Sequence, residues 1–270
     1  MTTFQKAVKY IAIALAVLLI VTIFSGIFGA IGALNFFTGS TLTTMEDYPL
    51  QDRFTELELN IGAAELTVAE GTGFSLSSNL KDLEIMQDNG ILTLRETKQF
   101  GKNYNGAKLN LTIPEGYTFE QIHIFSGAGK VTLSRLSANV LTMHLGAGQV
   151  TADRLNAEQS ALITTGAGEL TVHAGHLNNL DMELGVGKTT LKTRLTGKSE
   201  IEQGVGETDI ELIGTAQEYT VQTDAGIGSI TVDGLSKTGD GSYGSGPNRV
   251  EIDSGIGSIR VRITEDSVNN

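Results

Sequence analysis

A Gly-x-Gly motif that recurs seven times constrains this chain more than any other feature of its sequence. Each copy is followed by a short strand-like run, as in GAGKVTL and GIGSITV. The first glycines of the seven copies are Gly127, Gly146, Gly166, Gly185, Gly204, Gly226 and Gly255. The first five copies follow one another at a nearly constant interval, and the last two intervals are longer. A regular period of about 20 residues is typical of a solenoid.

Apolar and polar residues alternate on both sides of each motif. The residue three places before the first glycine is apolar in six copies and Thr in one: Ile124, Met143, Ile163, Met182, Ile201, Thr223 and Ile252. The residue before it is mostly polar, and the fourth and sixth residues after the first glycine are apolar in most copies. The core-facing residues thus stand at an odd position before the first glycine and at even positions after it. This change requires a bend, which glycine permits. We expect the small apolar residue between the glycines to point inward at this corner.

Each repeat therefore predicts a strand, a Gly-x-Gly corner, a second strand and a return turn. Coils of this kind, stacked about 4.8 Å apart, form an all-β solenoid of the parallel β-helix type, roughly 40 to 50 Å long. Further strand-like runs precede the regular repeats: 56–59, 83–86, 91–95, 109–113 and 121–124. Asp88, Asn89 and Gly90 lie between two of these runs and predict a hairpin turn.

The stretch LNLTIPEGYTFEQIHIFSGAGKVTLSRL begins at Leu109 and leads into the Gly-x-Gly strand repeats. In these features the chain resembles the bacterial "putative adhesin" family of β-strand repeat proteins. The resemblance covers about residues 45–263. It implies a right-handed β-solenoid on the cell envelope, and the family has no catalytic residues to carry over to this chain.

Residues 10–34 contain no charged residue and consist almost entirely of Ile, Ala, Leu, Val, Phe and Gly. About 25 residues at about 1.5 Å each reach about 37 Å, which is enough for one helix to cross a bilayer. Lys6 and Lys9 precede this run, and Glu46 and Asp47 are the first charges after it. The positive-inside rule therefore places the N-terminus in the cytoplasm and the rest of the chain outside. The alternatives are a cleaved signal peptide, for which the run is long, and a buried core helix, for which it lacks a polar face.

These features predict five segments in the chain. They are a cytoplasmic N-terminus 1–9, a transmembrane helix 10–36, a linker 37–52, a β-strand repeat domain 53–263 and a tail 264–270. Ser25, Gly29 and Ala33 are small residues four apart, a spacing that would let two spans pack closely and self-associate. The polar tail is expected to shield the edge of the last coil.

The charge of the chain limits its partners. All 31 acidic residues and 17 of the 19 basic residues follow the apolar run, so this part carries a net charge of about −14. Because phosphate recognition needs a basic surface, nucleic acid is not expected as a partner. The chain has no cysteine, which excludes a disulfide framework and a thiolate metal site.

Gly187, Lys188 and Thr189 imitate the end of a phosphate-binding loop. That loop needs a glycine five residues before Gly187, where Met182 stands, and a helix after the lysine, where the sequence alternates like a strand. The residue equivalent to Lys188 is Lys, Gln, Glu or Ser in the other copies of the motif. We therefore expect Lys188 to be solvated and the chain to bind no nucleotide.

No other residues indicate a metal, cofactor or catalytic site. His173 and His176 are three apart on a predicted strand and turn, a spacing that does not converge two imidazoles on a metal. The acidic residues alternate along a rod and mark no pair facing across a cleft, so we predict that the protein is not an enzyme. The fifth residue after each first glycine is usually Thr, which predicts an outer threonine column explained by strand propensity alone.

Two segments break the repeat, and departures from a regular scaffold are where binding loops tend to lie. They are ETKQFGKNYNGAK, from Glu96, and KTGDGSYGSGPNR, from Lys237. Each places an aromatic residue beside a cation, which makes five residues candidate binding residues: Phe100, Lys102, Tyr104, Tyr243 and Arg249. The alternative is that both segments are solvated hairpin loops.

The sequence thus predicts a membrane-anchored, non-enzymatic, extracytoplasmic β-solenoid at the bacterial cell envelope. In this hypothesis it acts as an adhesin or protein-interaction scaffold, and its partners are envelope proteins or surface ligands. The alternative is a stress-sensing or regulatory envelope protein that binds a membrane partner.

Overall fold

The computed structural model describes residues 42–97, 106–237 and 241–265, and nearly all of them lie in one β-sheet that winds into stacked coils. The strands are β1 Leu42–Tyr48, β2 Glu56–Ile61, β3 Glu65–Gly71, β4 Ser75–Leu80, β5 Leu83–Asp88, β6 Ile91–Glu96, β7 Lys108–Pro114, β8 Phe119–Val172, β9 Gly175–Asn178, β10 Leu180–Thr196, β11 Lys198–Ile213, β12 Tyr219–Val232, β13 Leu235–Lys237, β14 Gly241–Gly244 and β15 Asn248–Thr264. A short 3₁₀ helix, Ala216–Glu218, precedes β12. The all-β, solenoid-like architecture agrees with the prediction.

Successive coils pair in parallel with their glycines in register. Gly187 of β10 pairs with Gly168 of β8 on one side and with Gly206 of β11 on the other. β8 is long because it runs through three coils without a break, with corners at Gly127, Gly146 and Gly166. One period of the sequence repeat is therefore one full coil.

The buried side switches parity at each corner, as predicted. In the coil of β10, Met182 and Leu184 are buried before the motif, and Thr189 and Leu191 are buried after it. All seven residues three places before a first glycine are buried, six of them aliphatic or Met and the seventh Thr223. Each fully buried aliphatic side chain contributes about 1.5 to 3 kcal/mol of hydrophobic free energy. The inward columns are thus the hydrophobic core of the fold.

The stacked backbones leave no room for a side chain at the glycine positions. A Cβ on Gly166 or Gly168 would lie closer than 3.0 Å to a carbonyl oxygen of the coil below, at Gly146 and Gly148 respectively. Gly168 also has a φ of +144°, a backbone conformation that L side chains rarely adopt. The first glycine of the motif is therefore required by close approach, and the second by close approach and conformation together.

The residue between the two glycines was expected to point inward at the corner, and the structure shows it exposed or half-buried, outside the fully buried core. Ala147 and Ile227 are exposed, Ile227 to 49%, and Ala167, Val186 and Val205 are half-buried. The strand runs through the motif without a break.

A third short segment completes each central coil. Leu155–Ala157 within β8 pairs in parallel with β9, and β9 pairs with residues 194–196 of β10. We name the segment before the motif segment A, the segment after it segment B and this return segment segment C. The return predicted as a turn is therefore partly a strand, and Leu155, Leu177 and Leu195 give it a buried column.

The last two coils are stacked out of sequence order. β11 pairs with β15, and β15 pairs with β12, so the final strand lies between two coils that precede it in the chain. The residues between β12 and β15 include β13 and β14, which pair antiparallel with the outer edge of β12. This excursion is the reason that the interval from Gly226 to Gly255 is the longest of the repeat.

The N-terminal end of the stack has the same arrangement. β2 lies between β6 and β8, and β3 lies between β7 and β8, although β6 and β7 follow them in the chain. β5 and β4 then cover β6 and β7 as antiparallel strands. The Glu96 carboxylate accepts hydrogen bonds from the backbone N–H groups of Gly62 and Ala63, at 2.7 and 3.3 Å, and so caps the first corner.

The remaining local predictions have different outcomes. Asn89 and Gly90, both with positive φ, form the hairpin turn between β5 and β6, as predicted. Most of the tail 264–270 lies outside the described residues, so its shielding of the last coil stays a prediction. Among the described residues, the antiparallel strands β13 and β14 cover the outer edge of β12. Among the described residues no helix has the length and apolarity to cross a bilayer, and the apolar run 10–34 lies outside them.

We expect Gly168→Ala to destabilise the fold by about 3 kcal/mol or more, since it adds both a clash with Gly148 and a strained φ. Gly73→Ala is the matched control, because a Cβ there meets nothing within 4 Å. The measurement is the urea midpoint followed by circular dichroism. Equal midpoints for the two variants would contradict the close-packed glycine columns.

Candidate interaction surfaces

The outer side of segment A carries a dense group of carboxylates at the C-terminal half of the stack. In the parallel ladder, Asp181 lies beside Glu200 and Glu183 lies beside Glu202. Each pair begins a column of side chains that continues through β15 to β12. We name this group the acidic face; its residues are Asp181, Glu183, Glu200, Glu202, Glu251, Asp253 and Asp224, with Gln222 in the eighth place. Adjacent strands lie about 4.8 Å apart, so each carboxylate has a like charge as its neighbour.

The electrostatics of the acidic face reflect this crowding. Burial and the charges of Asp224, Glu202, Glu200 and Glu251 together raise the pKa of Asp253. Lys198 lies at the border of the face, where its ammonium is 3.1 Å from Glu251 and 3.8 Å from Glu200. Hydrogen bonding to Glu251 raises the pKa of Lys198 in turn. Lys198 thus balances negative charge at the border of the acidic face.

Segment B has a different charge pattern, because two of its outward acids have cationic partners. Asp209 accepts a hydrogen bond from Arg260 at 2.6 Å, and Glu211 is 2.8 Å from the Lys192 ammonium. The Lys192 contact lowers the pKa of Glu211. Cations of the chain itself therefore balance the charges of Asp209 and Glu211 on segment B.

The segment A surface of the middle coils carries aromatic and imidazole groups. Phe125 is 51% exposed, and its ring centroid is 6.3 Å from that of His144. His144 Nδ1 is 2.7 Å from the hydroxyl of Thr164. One surface thus changes along the stack from aromatic and imidazole groups to carboxylates.

The predicted binding residues of the first loop, Phe100, Lys102 and Tyr104, lie outside the described residues. In the second loop, the Tyr243 hydroxyl donates a hydrogen bond to Asp233 Oδ2 at 2.9 Å, and this bond raises the pKa of Tyr243. Tyr243 pairs with the inward residue Val221, whereas exposed Arg249 pairs with Thr220. Because neighbouring strand positions face opposite sides of a sheet, Tyr243 and Arg249 do not form one surface.

Lys188 is exposed and lies between Glu169 and Glu207 in the ladder. The chain continues from it as a strand, so the helix that a phosphate-binding loop needs is replaced by β10. The threonine column also lies on the outside, where Thr190 pairs with Thr171 and with Asp209. Both observations agree with the interpretation of Lys188 as a solvated strand residue.

A narrow cavity lies at the glycine corners of the central coils. Small apolar residues such as Ala147, Ala167 and Val186 line it together with glycine backbone. Its polar lining includes Gln203, whose amide donates to the Gly206 carbonyl at 3.0 Å and accepts a hydrogen bond from Thr208.

Within residues 42–97, 106–237 and 241–265, no three His, Asp or Glu side chains are grouped so that they could hold a metal ion. His176 Nε2 is 2.8 Å from the Thr196 hydroxyl, and His173 is exposed. Sequence reasoning placed the acidic residues on alternate positions along a rod, and the structure adds which of them lie together in the acidic face. Its residues stand two and four places before the first glycine, and this pattern is visible in the sequence. The order of the coils, which brings these residues next to one another, is not.

Comparison with known proteins gives one family match. The family described as Toastrack DUF4097 matches residues 54–263. None of the curated proteins compared with the chain matches it. The architecture is similar to a "putative adhesin" from Bacteroides fragilis, with 15% identity, coverage of 83% of this chain and 100% of that chain, and a TM-score of 0.41.

Two further solved structures are similar to this chain. A "putative cell adhesion protein" from Clostridium sporogenes has 14% identity, a TM-score of 0.36 and coverage of 82% of this chain and 99% of its own. A "putative lipid binding protein" from Parabacteroides distasonis has 13% identity, a TM-score of 0.30 and coverage of 82% and 95%.

We expect Asp253→Asn to raise the melting temperature at pH 7. A carboxyl whose pKa is raised on folding stabilises the fold fully only below its unfolded pKa of about 3.9, and this contribution is lost as pH rises through the folded pKa. The gain from Asn should therefore shrink as the pH falls from 7 toward 4, and 1 M NaCl should also reduce it. Thermal melts over this pH range test the prediction, with the exposed Asp153→Asn as the control. A gain that does not vary with pH would rule out charge repulsion as its cause.

Proposed function

Since this chain belongs to the Toastrack DUF4097 family, we propose that it is a membrane-anchored protein whose right-handed β-solenoid lies outside the cytoplasm and serves as an adhesin or protein-interaction scaffold at the bacterial cell envelope. The observation that carries the proposal is the segment A surface, which extends over many coils and changes from aromatic to strongly acidic along the stack. Such a surface suits the binding of a macromolecule better than the conversion of a small substrate.

The rigidity of the solenoid supports a scaffold role. Parallel pairing in register and glycine columns without spare volume hold the outward side chains in fixed columns. A preorganised surface loses little conformational freedom when it binds, and this favours affinity. The two irregular loops, with Phe100, Lys102 and Tyr104 in one and Tyr243 and Arg249 beside the other, are proposed as additional contact segments.

The membrane anchor in the proposal rests on the uncharged residues 10–34 and on the two lysines before them. β1 begins at Leu42, only a few residues after this run, so the N-terminal end of the stack would face the membrane. The C-terminal half of the stack, with the acidic face, would then be the part farthest from the bilayer.

The second candidate function is that of a regulator whose span contacts a membrane partner. Ser25, Gly29 and Ala33 favour it, because small residues four apart allow helices in a bilayer to pack closely. The two functions differ in the part of the chain that must be preserved. A scaffold needs the solenoid surface and any anchor, whereas a regulator needs the sequence of the span itself.

Topology can be tested by cysteine labelling, because the chain has no cysteine of its own. Lys81 is exposed in the turn between β4 and β5, and Thr3 lies in the predicted cytoplasmic segment. On intact cells we expect a membrane-impermeant maleimide to label Lys81→Cys at once and Thr3→Cys only after lysis. Labelling of Thr3→Cys alone, or of neither variant before lysis, would contradict an extracytoplasmic solenoid.

Span replacement tests the function. Residues 10–36 are exchanged for an unrelated apolar span of equal length, and both forms are returned to cells that lack the gene. We expect the exchanged form to restore adherence and aggregation of intact cells to within about twofold of the native chain, because the surface does the binding. Restoration by the native span alone would favour the regulator instead.

A further inference from the structure

Two coils at the C-terminal end of the stack form a unit that is set apart from the rest of the chain. β12 and β15 pair with each other in parallel, and β13 and β14 pair with β12. In the part of the chain that the structure describes, β12 forms no ladder with β11. These four strands, which we name the outer unit, therefore join the other coils through one ladder, that of β15 with β11.

A short link connects the outer unit to the coil before it. β11 ends at Ile213 and β12 begins at Tyr219, so the five residues between them rise past the layer that β15 occupies. This rise is two coil spacings, about 9.6 Å, whereas five extended residues can span about 17 Å. The link can therefore also reach the stack of a second copy, provided that the two stacks are in contact.

The edge of β11 recognises β15 by its side chains. Two ion pairs join the strands: Asp209 with Arg260 at 2.6 Å, and Lys198 with Glu251 at 3.1 Å. The residues of β12 equivalent to Arg260 and Glu251 are a threonine and a glutamine, which carry no charge. β15 also brings Ile252 into the buried column, where β12 has a threonine. Charge complementarity of this kind specifies a partner, so β11 selects β15 rather than β12.

Recognition by side chains does not require that both strands belong to the same copy. A second copy presents an identical outer unit, and a reciprocal exchange of outer units keeps every contact between β11 and β15. Only the ladder of β11 with β15 has to open, because the contacts within the outer unit move with it. Association of two copies costs translational freedom, and this cost falls when both are held in one membrane.

We propose that the outer unit is exchanged between two copies of this chain, so that β15 of each copy docks on β11 of the other. The product is a dimer that presents two solenoid surfaces at once, which raises the avidity of a scaffold. This inference rests on the proposed function, because the membrane anchor is what brings the two copies together.

Cysteine pairs test the exchange, because the chain has no cysteine of its own. Two differently tagged full-length copies are expressed together, one with Asp209→Cys and the other with Arg260→Cys, and the membranes are mildly oxidised. We expect a disulfide between the copies on a non-reducing gel, since these positions are ladder partners. The matched control combines Asp209→Cys with Thr190→Cys, ladder partners on strands that are not exchanged, and should crosslink at least tenfold less.

Three results of this experiment would overturn the proposal. Equal crosslinking in the test and control pairs would show that the copies merely collide. No disulfide between copies in the test pair would show that each outer unit stays in its own copy. Thr231→Cys in one copy and Arg260→Cys in the other are partners within the outer unit, so crosslinking of this pair as strong as in the test pair would show that β15 is exchanged alone.

Reversed charges test the exchange without oxidation. Asp209→Arg in one copy and Arg260→Asp in another each place like charges beside one another within a single copy. When both variants are expressed together, exchange pairs the two substituted residues with each other and the two native residues with each other. We expect the two variants to co-purify at least fivefold more than either variant with a differently tagged copy of itself. Equal co-purification would contradict the exchange.

The outcome can be separated from that of the proposed function. If span replacement leaves cell adherence intact while the test pair fails to crosslink, the scaffold stands without exchange of the outer unit. If the test pair crosslinks as expected while only the native span restores function, the exchanged dimer stands in a regulator.

Discussion

The close approach of backbones at the glycine corners is the constraint on which the rest of this structure depends. Two stacked columns of glycine let each coil lie on the next with no side chain between them, and this fixes the register of every coil against its neighbours. Once the register is fixed, the inward residues form continuous aliphatic columns and the outward residues form columns of their own. Core packing and surface pattern therefore have one common origin in the backbone at the corners.

The surface pattern follows from that register. Several strands carry acidic residues two and four places before the corner. Because equivalent positions of neighbouring coils pair, these acidic residues form columns of like charge. The fold tolerates the repulsion because the core beneath these strands is continuous, with Ile201, Ile252 and Val250 fully or almost fully buried. Hydrophobic burial on the inner side of segment A thus supports an electrostatically unfavourable outer side.

Much of the fold could be predicted from the sequence because its signals are local. Alternation located β2, β5, β6 and β7, Asn89 and Gly90 marked the hairpin, and the parity switch located the inward columns. The polar strands β1 and β4 were missed, since LTTMEDY and SLSSNL lack an apolar alternation of the usual strength. The order of the last coils could not be predicted, because β11, β12 and β15 carry nearly the same pattern and any of them fits beside any other. The acidic face depends on that order.

The insertion of β15 between β11 and β12 has a consequence for how the molecule is made. Chains emerge from the ribosome N-terminus first, and a simple coil could add each turn to the previous one as it is synthesised. Here β15 is synthesised after β12 but lies between β11 and β12, so these three coils cannot stack in the order of translation. The coil of β12 must either stay separate from the stack until β15 has paired with β11, or first pair with β11 and later be displaced by β15. β15 therefore completes this part of the stack from within.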